Sequence, residues 1–152
     1  MVPQKIKDTL RYKKDAISIQ KEKLLFQNGF LTGSQAFKCA NENSDWDLLF
    51  HNEKDWDLNE HQNVFDGQGR IAYIPGEYRT WEFTSWYFKT KDEKYINIIS
   101  FFEKEDYDVW VEATTIVLSL MRTSHIIRKG IKDKKMRVEL FELLKKFIRN
   151  QE

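Results

Sequence analysis

A single cysteine, Cys39, is all the thiol this chain has, so it cannot close an intramolecular disulfide framework. No Cys/His cluster has the spacing of a structural zinc site. No stretch approaches the roughly 20 apolar residues needed to cross a bilayer. Residues 1–15, MVPQKIKDTLRYKKD, lack the apolar core of a signal peptide. There is no charge of one sign to speak of: 25 Lys and Arg stand against 24 Asp and Glu, so the formal charge of +1 creates no overall field that would gather nucleic acid or an anionic membrane. Repeats of solenoid length and low-complexity tracts are missing as well. These absences point to a soluble, cytoplasmic protein kept in a reducing setting, with no membrane partner, in which any polyanion would have to be met by a local patch.

What the chain has is apolar and aromatic material. Hydrophobic residues make up 41% and aromatics 14% of 152 residues, far too much for a disordered chain and enough for one packed core, so a single domain spanning residues 1–152 is expected. Apolar positions Ile6, Leu10, Ile17, Leu24 and Leu25 recur at helical spacing from Gln4 to about Gln27, and Asn28-Gly29 supplies a stop through the left-handed conformation that Gly tolerates. Phe30-Leu31-Thr32 reads as a short buried strand and Gln35 to Ala40 as a short helix. Asn41 to Ser44 reads as a polar turn and Asp45 to Phe50 as a second strand. The polar stretch from His51 to Gly69 is expected to be irregular. Tyr78–Lys89 and Tyr95–Phe102, separated by Lys91-Asp92-Glu93-Lys94, have the pattern of a β-hairpin. One helix is expected from Glu105 to Lys129, stopped by Gly130, with Tyr107, Val111, Thr114, Leu118 and Met121 inward. A last helix from about Lys134 would bury Met136, Leu140, Leu143, Leu144 and Phe147. The fold class is therefore α+β: a small mixed sheet backed by helices on one face.

The chemistry is concentrated between Gly33 and Leu48, where Gly33-Ser34 is followed by ten residues and then by Asp45-Trp46-Asp47. Gly lets the backbone approach a phosphate, the Ser34 hydroxyl and neighbouring amides can donate to its oxygens, and a following helix start would add positive potential. On a strand, residues two apart share a face, so Asp45 and Asp47 project together while Trp46 and Leu48 face the opposite layer. Two adjacent carboxylates repel unless a cation joins them, and hard oxygen ligands suit Mg²⁺ or Mn²⁺. Asp55-Trp56-Asp57-Leu58 repeats the four residues Asp45 to Leu48 without the preceding Gly-Ser bend. Its Asp55, Asp57 and Asn59 mimic the first ligands of a calcium loop, but Glu60 stands where Gly is needed and Asp66 where the bidentate Glu belongs.

The Gly-Ser bend, the ten-residue gap and the Asp-x-Asp strand together resemble the signature of the nucleotidyltransferase superfamily related to DNA polymerase beta, over roughly Gly29 to Phe102. That resemblance implies a minimal nucleotidyltransferase fold. Gly33, Ser34 and the nearby Lys38 would hold the phosphates of a nucleoside triphosphate, and Asp45 and Asp47 would ligate Mg²⁺ or Mn²⁺. It also implies transfer of a nucleoside monophosphate to a protein, small-molecule or RNA acceptor, since no second domain for template selection is visible. In the resembled family a third carboxylate comes from a neighbouring strand. Here the matching strand, Tyr95-Ile96-Asn97-Ile98-Ile99, offers Asn97, an amide that carries no charge and cannot act as a base. Glu82 on the preceding strand is the candidate to replace it, with Glu77 a weaker one. The alternative reading is a catalytically impaired protein of the same fold, binding a nucleotide or a partner protein as a regulator, inhibitor or antitoxin would.

Of the remaining residues, Arg122, His125, Arg128 and Lys129 continue into Lys132, Lys134, Lys135 and Arg137 as a basic run. It reads as a solvated face that could receive a triphosphate tail or an RNA acceptor. His51 and His61 show no partner pattern, and Cys39 reads as a packed thiol.

Overall fold

Two layers of apolar side chains sit on opposite faces of a mixed five-stranded sheet in the computed structural model, which describes residues 16–51, 55–56, 66–68, 72–74, 77–79 and 82–151. In chain order the elements are α1 (Ile19–Asn28), β1 (Phe30–Thr32), α2 (Gly33–Ala36), β2 (Trp46–Phe50), β3 (Asp66–Gln68), β4 (Ala72–Ile74), β5 (Glu77–Arg79), β6 (Phe83–Lys89), β7 (Tyr95–Phe101), α3 (Lys104–Thr123), α4 (His125–Gly130) and α5 (Lys134–Arg149). The sheet order is β1-β2-β7-β6-β3, with β2 and β7 parallel and the other pairs antiparallel. The expected α+β class and mixed sheet are borne out.

Strand alternation sorts the sequence between the two faces. Leu49, Phe83, Ile99 and Phe101 point to one side and pack against Trp110, Ala113 and Val117 of α3 and Phe141 of α5. Leu48, Phe50, Phe88, Ile96 and Ile98 point to the other, where Leu25 of α1, Ile17 and Trp56 cover them. Helices therefore lie on both faces rather than on one, because Leu25 brings α1 over the side opposite α3. Trp56 belongs to a stretch that reads as plain loop, yet it is buried, stacks at 5.4 Å on Trp86 and donates its indole N–H to Ser100 Oγ at 3.2 Å.

Several expected elements shift for identifiable reasons. Residues 4–15 of the first helix lie outside the described residues; α1 begins at Ile19, after Ser18, whose hydroxyl accepts from Lys21 N at 3.1 Å. Gly29 does end α1, but with φ −82 rather than in the left-handed region. Its requirement is space, since a Cβ there would meet the Phe50 ring at 2.7 Å. The helix expected over Glu105–Lys129 is two helices: Ser124 is extended, with φ −119 and ψ 111, and its hydroxyl accepts from Ile127 N at 3.2 Å, capping α4. On α5 the buried residues are Phe141 and Lys145, while Met136, Leu143 and Phe147 are exposed. Lys145 turns inward because a buried carboxylate, Glu82, waits for it there. The hairpin of β6 and β7 forms about a turn in which Thr90 Oγ1 accepts from Lys94 N at 2.9 Å. Tyr78 and Arg79, expected as its leading end, lie instead in β5, which pairs with β4 in a separate two-stranded sheet. No helix among the described residues is long and apolar enough to cross a membrane.

Candidate functional site

The register of the sheet aligns Thr32, Asp47, Asn97 and Tyr87 in one row across β1, β2, β7 and β6. One pleat further along the same face lie Leu49 and Ile99, already under α3 and α5. The polar row thus sits where helix cover ends, and there a cleft of about 360 Å³ opens. Its walls include Gly33, Ser34, Asp45, Asp47, Asn97 and Tyr87.

Gly33 is where local conformation and site meet. Its φ of +72 lies in the left-handed region, and a Cβ on it would overlap Asp47 Oδ2, so only glycine lets the bend close onto the carboxylate. The bend is anchored from behind. Thr114 Oγ1 donates to Trp110 O at 2.8 Å, which makes Thr32 the donor in the buried 2.7 Å Thr32–Thr114 hydroxyl pair. The helix expected over Gln35–Ala40 is only one turn, Gly33–Ala36, too short for a helix dipole to contribute, so a phosphate at this bend would have to be met by individual donors such as the Ser34 hydroxyl.

Among the described residues Asp47 meets two groups that do not neutralise it. Asn97 Nδ2 donates to its Oδ1 at 3.1 Å, and the Asp45 carboxyl shares a hydrogen bond with it. Burial first, and the Asp45 charge second, hold the Asp47 carboxyl well above the usual carboxylate range, with the Asn97 amide pulling the other way. Asn97 is nine-tenths buried, and its own Oδ1 is left without a hydrogen bond at the cleft. Tyr87 is pushed up to about 12 by burial and then by the charges of Asp45 and Asp47, so its phenol keeps its proton at neutral pH. Two cations from the first turns of α5, Lys134 and Arg137, face the same cleft. Arg137 is held in place by Nη1 donating to Ile131 O at 2.8 Å and to Cys39 Sγ at 3.3 Å.

The structure thus brings together Gly33, Ser34, Asp45, Asp47 and Asn97, and it keeps Glu82 and Lys38 apart from them. Glu82 is neither exposed nor beside the acid pair. It is fully buried and committed to Trp110 Nε1 at 2.8 Å, Arg149 Nη2 at 3.2 Å and Lys145 Nζ at 3.4 Å. Lys38, in the left-handed conformation with φ 55, lines a neighbouring groove and not the cleft. Glu77 lies on β5, outside the five-stranded sheet. Of the calcium-loop pattern, Asp57, Asn59 and Glu60 lie outside the described residues. Tyr87 is a site residue that reading the sequence passes over. The alternation of the hairpin, with Tyr87 opposite Asn97, is the signal that finds it.

A divalent cation is compatible with this donor set. Asp45 and Asp47 are side by side, and the orphaned Asn97 oxygen is a third hard donor. Among the described residues no group of three or more His, Cys, Asp or Glu converges, so a cation here would rest on two carboxylates, an amide oxygen and oxygens of its ligand. Comparison with protein families, with characterised proteins and with solved structures finds no match to this chain.

Proposed function

We propose that the chain is a small nucleotidyltransferase that binds a nucleoside triphosphate with Mg²⁺ or Mn²⁺ in this cleft and transfers the nucleoside monophosphate to a protein, small-molecule or RNA acceptor. The observation that carries the reading is the closure of the Gly33 bend onto the Asp47 carboxylate, with Asp45 beside it. Asp45 and Asp47 would hold the cation, with Asn97 Oδ1 as a neutral third donor. When bound, such a cation would neutralise charge on the triphosphate and on the departing pyrophosphate. The Ser34 hydroxyl and the amides of the bend donate to phosphate oxygens. Lys134 and Arg137 offset the charge of the outer phosphates, and the protonated Tyr87 phenol offers a hydrogen bond to the sugar or base.

One observation favours a second reading, nucleotide binding without transfer by a regulator, inhibitor or antitoxin. In register with Asp47 stands the amide of Asn97, and Glu82, the candidate to replace the missing carboxylate, is locked into ion pairs elsewhere. Activation of an acceptor hydroxyl then lacks the carboxylate that the resembled family supplies. Incubation with Mg²⁺ and α-labelled nucleoside triphosphates, with and without cell extract, separates the two. Label passed to an acceptor supports transfer, binding alone supports the second reading, and neither sinks both. Asp45→Ala should lose the signal and Asp55→Ala should keep it. Asn97→Asp should raise transfer at least tenfold if the missing carboxylate is what limits it.

A further inference from the structure

Between Arg122 and Arg137 the sequence places seven Lys and Arg against a single acid, in a chain whose whole formal charge is only +1. The one acid, Asp133, is consumed as the cap of α5, its Oδ1 accepting from Lys135 N at 2.9 Å. Elsewhere several cations find carboxylates: Lys94 with Asp92 and Glu22, Lys104 with Asp108, Lys145 and Arg149 with Glu82. Among the described residues none of the seven forms an ion pair. Exposed cations gathered without acids repel one another, an arrangement that a polyanion relieves.

Three of the seven, Arg128, Lys129 and Lys132, line a groove of about 520 Å³. Phe37, Cys39 and Met121 contribute an apolar floor, while Lys38, His125, Arg128, Lys129 and Lys132 stand exposed around it. Arg128 is fixed there by Nη1 donating to Met121 O at 3.0 Å. Apart from the sulfurs on the floor and one ring nitrogen of His125, the polar side-chain atoms of the groove are donors. A peptide partner brings backbone N–H groups that need acceptors, and the groove side chains supply none of oxygen; the phosphates of a nucleic-acid backbone bring acceptors only. The groove also leads to the acid cleft, because Phe37 lines both and Arg137, facing the cleft, is bonded to Cys39 on the groove floor.

We infer that this groove holds the phosphate backbone of a single-stranded nucleic acid, leading one end of the strand to Asp45 and Asp47. That the strand is the acceptor of the transferred nucleotide rests on the proposed transferase reading; its binding in the groove does not.

The test is anisotropy of fluorescein-labelled single-stranded RNA and DNA 12-mers, with polyglutamate as competitor, at several salt concentrations. With four groove cations neutralising phosphates, the slope of log affinity against log salt is about −3, or roughly a fifty-fold loss between 50 and 200 mM salt. Lys129→Glu/Lys132→Glu, both exposed positions, should weaken binding more than tenfold, while Lys104→Glu on the far end of α3 leaves it unchanged. Asp47→Asn should abolish nucleoside triphosphate binding yet keep the 12-mer, so failure of the transferase reading is distinguishable from failure of this one. RNA bound more tightly than DNA, or the reverse, identifies the strand. No binding by either 12-mer, binding indifferent to the double variant, or displacement by polyglutamate at equal charge overturns the inference, the last in favour of an acidic protein partner.

Discussion

Glu82 and Asp47 are both carboxylates carried on the main sheet face or its margin, yet their surroundings are opposite. Glu82 is met by Lys145, Arg149 and the Trp110 indole, and Arg149 reaches on to Asp106 at 3.2 Å, so two buried acids share two bases inside the protein, with the half-exposed Glu142 also on Lys145 at 3.4 Å. Asp47 is met by a neutral amide and by a second carboxyl. Charge neutralised within the chain holds the helices to the sheet; charge left to an amide and another acid is suited to a cation brought by a ligand. A buried acid is therefore a poor guide to function until its partners are known.

That contrast is broken most severely at the closed cluster. Lys145→Met leaves Glu82 buried beside fewer cations and should cost about 3–5 kcal/mol. For a chain of this size that is a fall in Tm of roughly 10 °C or more, read by thermal unfolding. A loss below 1 kcal/mol would put the two carboxylates on an equal footing. Gly33→Ala comes next. The left-handed backbone alone costs about 1–2 kcal/mol, and the added methyl displaces Asp47, so nucleotide binding should vanish while the fold survives. Retained binding would show that the bend need not close on the acid.

Smaller still is a pH effect with a definite sign. Because the folded state raises the Asp47 pKa, it holds that proton more tightly than the unfolded chain does, so this group contributes stability at acid pH that is lost as pH climbs from the ordinary aspartate value through the raised one. Asp47→Asn should flatten that decline and be at least as stable as the parent at neutral pH, whereas the same change at a paired acid would destabilise. Denaturant unfolding at a series of pH values reads the difference. Least is expected from Lys104→Ala, which removes the exposed 3.0 Å pair with Asp108 and should cost no more than about 0.5 kcal/mol.

Much of this was legible in the sequence and some was not, for physical reasons. The strand that carries Asp47, which begins at Trp46 so that Asp45 stands just before it rather than in it, the hairpin partner strand carrying Asn97 and the start of α5 follow from alternation, turn residues and capping, which are local. Glu82 and Lys145 could not be read, because each is buried through partners distant in sequence, Trp110 and Arg149 among them, and neither alone satisfies a hydrophobic pattern. Ser124 hides a helix break, since a lone Ser inside a periodic run costs little unless its hydroxyl caps the next turn. Trp56 lies among polar residues, and only the partner face, through Trp86 and Ser100, reveals it as an anchor. Lys38 sits five residues beyond Gly33 along the chain, but its left-handed backbone turns it toward the basic groove.

The most direct measurement is Mn²⁺ binding followed by electron paramagnetic resonance, with and without a non-hydrolysable nucleoside triphosphate, on the parent, Asp47→Asn and Asp55→Asn. The parent and Asp55→Asn should bind the ion with nucleotide-enhanced affinity, and Asp47→Asn should lose it at least a hundredfold without losing its cooperative unfolding. Equal binding by all three would contradict the assignment of this cleft.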